Sequence, residues 1–344
     1  MVNVGIVGCG SITRFRHAPD YASNADVKIA GFCNPRIEPA EEMVKIYGGK
    51  VYRSYEEMLQ DPSVDAISVC SPNIHHASMT IAALEAGKHV LCEKPMATSI
   101  EEASIMIEAA QKAGKNLMVG HNQRFTAAHV KAKEILCSGE IGRVLTFKTI
   151  FSHKGPEFWS TDKSINSWFF KKDEAFIGAL GDLGTHKIDL LRWLTKDEFT
   201  EVSAYMSTLD KSDNEGNLVD VEDNVISMMK TKSGIMGTLT FSWTNYGVED
   251  NSTILYCTNG VMKIYDNPEF ALEVIKRNGD KIYYNIGEIQ TNTKQIKSGV
   301  IDAFVESIVK GVKPEISGEE ALAAMKVIAA CITSSETGKS IKLV

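Results

Sequence analysis

Short apolar runs alternate with helical patterns through the first third of the chain. Val2–Val7, Val27–Cys33, Ala66–Cys70, His89–Cys92 and Leu117–Val119 are nearly continuous in apolar residues. That is the pattern of strands buried on both faces, since a half-exposed strand would alternate. Between them, Ser11–Ser23, Pro39–Tyr47, His75–Ala86 and Ile100–Ala113 carry helical spacing. Strands separated by helices predict a parallel sheet with right-handed crossovers, a doubly wound α/β domain over residues 1–121. Ligands in such sheets bind beyond the carboxyl ends of the strands.

The pattern changes after residue 121. Phe125–Ser138 reads as a helix ending before Gly139, and Val144–His153 as a long strand. Gly181–Leu194 is helical, with Leu183, Leu190, Leu191 and Leu194 available to one face. Several strands are predicted between Glu201 and Ile286, among them Asn224–Met229, Ile235–Trp243, Thr253–Cys257 and Gly260–Ile264. The turns Lys232-Ser233-Gly234 and Thr258-Asn259-Gly260 suit antiparallel hairpins. Helices over Gln295–Lys310 and Gly318–Thr337 finish the chain. Residues 122–344 are therefore expected to form an α+β domain with a large, mostly antiparallel sheet. The last helix is expected to pack back on the first domain.

Composition narrows the function classes. Of 344 residues, 44% are hydrophobic and 24% charged, which supports a well-filled core. The net charge of −7 argues against nucleic acid as a partner, because phosphate backbones require a basic surface. No apolar run is long enough to cross a bilayer, and the first residues lack the layout of a secretory signal. A cytoplasmic protein with no membrane partner is expected. The seven cysteines include no C-x-x-C pair and four of them close apolar runs, so they read as small buried residues of a reducing compartment. No spacing of His, Asp, Glu or Cys calls for a metal.

The first strand runs into Gly8-Cys9-Gly10-Ser11-Ile12-Thr13. Gly8 permits a tight turn, and Gly10 allows close approach of a pyrophosphate. The amides of Ser11 and Ile12 would meet that pyrophosphate from a helix N-terminus. A Rossmann-type dinucleotide site is predicted, with Thr13 departing from the usual third small residue. The second strand ends in Asn34-Pro35-Arg36 where an acidic residue would read the adenosine ribose of NAD. Asn34 does not repel a phosphate and Arg36 is able to pair with one, so the cofactor is NADP or NAD, with the balance tilted to NADP.

Three further segments are diagnostic: Ser71-Pro72-Asn73-Ile74-His75-His76, Ala86-Gly87-Lys88-His89-Val90-Leu91-Cys92-Glu93-Lys94-Pro95, and Gly181-Asp182-Leu183-Gly184-Thr185-His186-Lys187-Ile188-Asp189. Together with the glycine turn they resemble the Gfo/Idh/MocA oxidoreductases, a family that includes inositol and glucose–fructose dehydrogenases. The resemblance runs through the whole chain in order. It implies that Lys94 reaches both the nicotinamide ribose and the substrate, and that Asp182 and His186 are the acid and histidine of a catalytic helix. It implies cofactor contacts from Ser71, Asn73, His76, Glu93 and Asn122, and a contact from Trp168 to cofactor or substrate. A homodimer or homotetramer built on the antiparallel sheet is implied as well. Departures fall at Phe176-Ile177-Gly178, where relatives often carry a glycine triplet, and at Gln123-Arg124, where many carry two arginines.

The residue types suit the chemistry. Removing a hydride from a secondary alcohol also removes the hydroxyl proton, so the site needs a base. Imidazole accepts protons near neutral pH, which makes His186 the expected base. Asp182 lies four residues earlier, on the same face of a helix, able to orient that ring or bind a neighbouring hydroxyl. Lys94, at the carboxyl edge of the sheet, polarises the reacting oxygen. The Lys94–Pro95 bond is expected to be cis. The expected activity is hydride transfer on a sugar or polyol. Two alternatives stand beside it: an NAD-retaining glycosidase or eliminase without net redox change, and a non-catalytic sugar or nucleotide sensor. The cleft is expected to bring Lys94 together with Asp182 and His186.

Overall fold

In the computed structural model, which describes residues 1–289, 291 and 297–343, every apolar run of the first third is a strand. These are β1 Val2–Val7, β2 Val27–Cys33, β4 Ala66–Val69, β5 His89–Cys92 and β6 Leu117–Val119. A three-residue strand, β3 Lys50–Tyr52, joins them; it is too short to announce itself by periodicity. The strand order is β3-β2-β1-β4-β5-β6, and all pairs are parallel. Val4, Ile6, Ile67, Val69, Val90, Leu91, Met118 and Val119 are all but inaccessible, as expected of strands covered on both sides. Each such side chain contributes about 1.5–3 kcal/mol by leaving water. The order reverses direction between β1 and β4, the switch point at which doubly wound sheets bind ligands.

Helix boundaries follow local chemistry. The helix Ile100–Ala113 starts at Ser99, whose hydroxyl accepts the Glu102 amide, and stops at Gly114 in a left-handed conformation. The first helix departs from expectation. Instead of a uniform α-helix over Ser11–Ser23, Thr13–His17 winds as π-helix and Ala18–Ala22 as α-helix.

The remaining strands form one nine-stranded sheet: β7 Val144–Ser152, β8 Phe199–Ser207, β9 Asn224–Thr231, β10 Met236–Ser242, β11 Thr253–Cys257, β12 Gly260–Ile264, β13 Leu272–Lys276, β14 Lys281–Tyr284 and β15 Ile341–Lys342. Their order is β14-β13-β12-β11-β7-β10-β9-β8-β15. Only the β7–β10 pair is parallel among these strands, so the sheet is mostly antiparallel as expected. Both anticipated hairpins form, β9 with β10 and β11 with β12. Along β9 the residues Val225, Ser227, Met229 and Thr231 are buried while Ile226, Met228 and Lys230 are exposed, the period-two pattern of a sheet with one packed face. The helix expected over Gln295–Lys310 is present as Val300–Lys310; its expected start at Gln295 lies outside the described residues.

Two compact units result. The first comprises Met1–His121, Asp173–Phe176 and Gln295–Met325; the second comprises Asn122–Lys172, Ile177–Lys294 and Lys326–Val344. In the first, Asn116 donates to Ser307 and the Val119 amide to the Ile316 carbonyl, so the late stretch is tied to the β6 edge.

Candidate active site

In the first unit the candidate residues gather beyond the carboxyl ends of β1, β2, β4 and β5. Gly8 follows β1 with φ +88°, and a Cβ there would stand 2.4 Å from the Cys70 carbonyl oxygen, so the fold itself demands glycine. Gly10 is different. A Cβ on Gly10 would meet nothing within 4 Å among the described residues, so no neighbour there demands its bareness, and the turn carries an open cradle. Thr13, the departure from the usual third position, is fully buried and donates its hydroxyl to the Gly8 carbonyl at 2.5 Å. It stitches the turn shut where a smaller residue would pack.

Asn34 serves the same turn. Its Oδ1 accepts the Cys9 amide at 3.0 Å and its Nδ2 donates to the Arg36 carbonyl at 2.8 Å. The side chain expected to read the ribose is thus engaged in bracing the loop, while Arg36 is exposed at the loop surface. After β4, Ser71 is buried and its hydroxyl has no hydrogen-bond partner among the described residues, an open polar valence at the end of a switch-point strand. Asn73 donates to the Ala175 carbonyl at 2.8 Å. His76 is buried, with Nδ1 2.7 Å from the Pro95 carbonyl and Nε2 2.9 Å from the Ser71 carbonyl. Burial lowers its pKa more than those carbonyls raise it, so the ring is neutral and donates to one of the two. It is a tie between two site loops.

After β5 come Glu93, Lys94 and a cis Lys94–Pro95 peptide, as expected. Glu93 is 5% exposed, with Oε1 2.8 Å from His17 Nε2 and Oε2 accepting the Lys94 amide at 3.3 Å. Lys94 itself is half-buried.

In the second unit, Asp182 sits in a π-wound turn, Leu180–Gly184, that leads into the helix Thr185–Thr195 with His186 in its first turn. Asp182 Oδ2 accepts the indole N–H of Trp243 at 3.1 Å, and Trp243 is fully buried. His186 is 8% exposed, its ring 5.9 Å from that of Phe151. Gly184 is required by packing, since a Cβ would press on Leu180 at 2.6 Å and Phe241 at 2.9 Å. The turn is anchored by Glu222, whose two carboxylate oxygens accept the Gly178 and Leu180 amides at 3.0 and 2.9 Å while its carbonyl accepts that of Ala179 at 2.9 Å. Burial and the neighbouring Asp223 push the Glu222 carboxyl up to about 7, against the pull of those amides.

Asn122 opens the short turn Asn122–Phe125 and is buried. In the same turn Arg124 makes a two-pronged pair with Asp189 at 2.8 and 2.5 Å, both buried, which gives Asp189 a structural role. Trp168 stacks on Phe169 with centroids 3.9 Å apart, and Phe169 meets Trp159 edge-on at 4.9 Å. Lys187 is fully buried, donates to the Asn251 carbonyl at 2.8 Å and is pushed down to about 7 by burial.

Sequence reasoning missed Trp243, Glu222, His17 and Lys187. Trp243 was visible only as the last residue of a strand and His17 only as a histidine without a motif. Their partners stand 42 to 76 residues away, beyond the reach of any local pattern.

Residues 2–121 match the Gfo/Idh/MocA model described as "Oxidoreductase family, NAD-binding Rossmann fold", and residues 129–263 match the C-terminal domain of the same family. The chain belongs to the Gfo/Idh/MocA oxidoreductase family. Levoglucosan dehydrogenase of Pseudarthrobacter phenanthrenivorans is 33% identical over 69% of the chain, and the match spans 66% of that relative, just under two thirds of its length. Myo-inositol 2-dehydrogenase of Thermotoga maritima is 26% identical over 99% of the chain and 98% of its own length. Among solved structures, a levoglucosan dehydrogenase in complex with NADH and levoglucosan superposes with a TM-score of 0.86 at 26% identity, covering 100% of this chain and 99% of that one.

The residues present fit a dinucleotide. The open cradle over Gly10 and the unpartnered Ser71 hydroxyl lie at the switch point where such a ligand rests in this fold.

Proposed function

We propose that this protein transfers a hydride between a nicotinamide dinucleotide and a hydroxyl-bearing carbon of a sugar or polyol, or the corresponding carbonyl. The observation that carries the reading is the Asp182 carboxylate fixed by the Trp243 indole, in the turn that leads into the helix bearing His186, in a chain whose first unit is an NAD-binding fold that keeps Glu93-Lys94-Pro95. The family relatives named as sugar and polyol dehydrogenases support the substrate class.

A bound dinucleotide supplies the hydride acceptor or donor at its nicotinamide ring. The chain does the rest. An imidazole nitrogen of His186 takes the hydroxyl proton in the oxidising direction and returns it in reverse. Asp182, held by Trp243, stabilises the imidazolium or holds an adjacent substrate hydroxyl. The Lys94 ammonium favours negative charge on the reacting oxygen. Gly8, Gly10, Ser11 and Ile12 cradle the pyrophosphate, with Ser71 and Asn122 adding polar contacts. Asn73, His76 and Glu93 hold the surrounding loops, and Trp168 offers an apolar face for a sugar ring.

NADP is the proposed preference. With Asn34 committed to the Cys9 amide and the Arg36 carbonyl, the exposed Arg36 guanidinium is the group free to meet a 2′-phosphate. A homodimer or homotetramer is proposed on the open face of the large sheet, where Tyr205, Ile226, Met228, Met236 and Tyr256 are exposed. A cytoplasmic location is proposed, supported by cysteines that are all free among the described residues.

The test is a panel of polyols, sugars and keto-sugars, each with both cofactors, followed by the absorbance of reduced nicotinamide. Net reduction of cofactor by one chemical class supports the reading. Turnover of a glycoside without net reduction would assign the chain to the nucleotide-retaining glycosidases instead.

A further inference from the structure

Among the described residues two segments wind as π-helix, Thr13–His17 and Leu180–Gly184. Such turns are uncommon and concentrate at functional positions. The second presents Asp182. The first presents Arg16 and His17, which the proposed chemistry does not use.

His17 is fully buried. Its Nε2 lies 2.8 Å from Glu93 Oε1 and its Nδ1 2.8 Å from Ser68 Oγ, which is in turn 3.1 Å from the Tyr21 hydroxyl. The second Glu93 oxygen accepts the Lys94 amide. Gly120, just past β6, closes the far side, since a Cβ there would stand 3.0 Å from Glu93 Oε1. Arg16 and Asp20 from the same helix, Cys70 from the end of β4, and Lys94 and His76 complete the charged and titratable surroundings of the pair.

We propose that His17 is a positioning residue for Lys94: clamped on Glu93 through Nε2, it fixes the carboxylate that holds the Lys94 amide and so sets the reach of the Lys94 ammonium. The clamp is an ion pair, imidazolium on carboxylate. A buried carboxylate needs a charged or fully donating neighbour, and His17 Nε2 lies 2.8 Å from this one. Burial opposes the charged ring, but Cys70 and Glu93 beside it raise His17 to about 10. Burial alone would raise Glu93; the His17 hydrogen bond and charge, with Arg16 and Lys94, hold it at about 2. His17 is the last residue of the π-turn, and its ring is held at both nitrogens.

The kinetic consequence rests on the dehydrogenase reading; the charge state does not. Nitrogen-15 resonances of the histidine rings, with the His17→Gln variant used for assignment, report the protonation state directly in the intact protein. One ring protonated on both nitrogens from pH 6.5 to 9 is expected; a His17 that titrates near 6.5 or stays neutral overturns the clamp. For activity, His17→Gln and Glu93→Gln are each expected to lower kcat about a hundredfold, through misplacement of Lys94, while cofactor KM moves far less. The double variant should be no slower than the slower single, because the two act as one unit. A fall in melting temperature with kcat per folded molecule unchanged would mean a structural role only and would overturn the proposal. If His17→Gln does not fold, Gly120→Ala presses on Glu93 with His17 intact; the same loss of kcat is expected, and an unchanged kcat overturns it. A wild-type protein inert on the whole substrate panel sinks the dehydrogenase reading, and the resonances still decide the clamp.

Discussion

The two π-wound turns make an instructive pair. Leu180–Gly184 carries a residue that a motif identifies, Asp182, and secures it with partners that no motif identifies, Trp243 and Glu222. Thr13–His17 carries His17, which no motif identifies, and through it secures a motif residue, Glu93. On the proposed function, the unusual turn of one unit displays the chemistry and that of the other braces it. Both turns leave the regular α-helical path where a side chain must be aimed, and in both the aim is fixed by a hydrogen bond spanning more than 60 residues of sequence. The proposed reacting residues are therefore legible locally, whereas their supports become visible only when the chain is folded.

Substitutions can break this comparison, beginning with the largest effect. His186→Ala removes the proposed base and is expected to lower kcat about 100- to 10,000-fold with the circular dichroism spectrum intact. Lys94→Ala follows, at about 100- to 1,000-fold. Initial rates near wild type in either variant would remove that residue from the chemistry. Trp243→Phe keeps an aromatic core but deletes the N–H on Asp182; about a hundredfold loss in kcat is its upper bound, since a misplaced group costs that much. Equal loss of thermal stability without loss of kcat would make Trp243 packing alone.

The two glycines of the first turn sharpen the same contrast. Gly8→Ala forces a Cβ against the Cys70 carbonyl at positive φ and should cost about 1–3 kcal/mol of stability, seen as a lower melting temperature. Gly10→Ala meets no protein atom, so stability should hold while dinucleotide affinity falls; calorimetric titration with each cofactor separates the two. Unchanged affinity in Gly10→Ala would argue that the cradle holds no pyrophosphate. Asn34→Asp keeps an acceptor for the Cys9 amide, loses the donor to the Arg36 carbonyl and places a carboxylate beside any 2′-phosphate. A shift of preference toward NAD is expected in the ratio of kcat/KM values.

The smallest effect is on pH dependence of stability. His17 is raised above its ordinary 6.5, so its contribution is full below pH 6.5 and fades as pH climbs toward 10. Glu93 is lowered from 4.5 to about 2, so its contribution is full above pH 4.5 and fades as pH falls toward 2. Urea unfolding across pH should then find the pair's contribution flat between about 4.5 and 6.5 and declining on both sides. His17→Gln should flatten the alkaline limb; an unaltered limb would deny that His17 is charged in the fold.

Much of the fold could be read from the chain because buried parallel strands write continuous apolar runs and hairpin turns write glycines. Lys50–Tyr52 was invisible because three residues carry no period. The π-turn at Thr13–His17 was read as plain helix because apolar spacing does not distinguish the two windings. Within the site, Gly8 and Gly10 stand out through the spacing of the glycine turn, and Lys94, Asp182 and His186 through the family resemblance. Asn34 was assigned to the ribose, and the structure shows the same side chain spanning Cys9 and Arg36, a contact that depends on where two strand ends meet. Asn73 and His76 were likewise assigned to the cofactor, and their side chains bond backbone carbonyls of Ala175, Pro95 and Ser71.

The most direct test of the central claim is a single comparison of rates. Wild type, Lys94→Ala and His186→Ala are each given NADP or NAD with the best polyol or sugar of the panel, and reduced nicotinamide is followed by absorbance. Steady reduction by the wild type, cut at least a hundredfold in both variants while each still binds the dinucleotide, is the expected result. A wild type that binds neither dinucleotide, or variants that keep its rate, would contradict it.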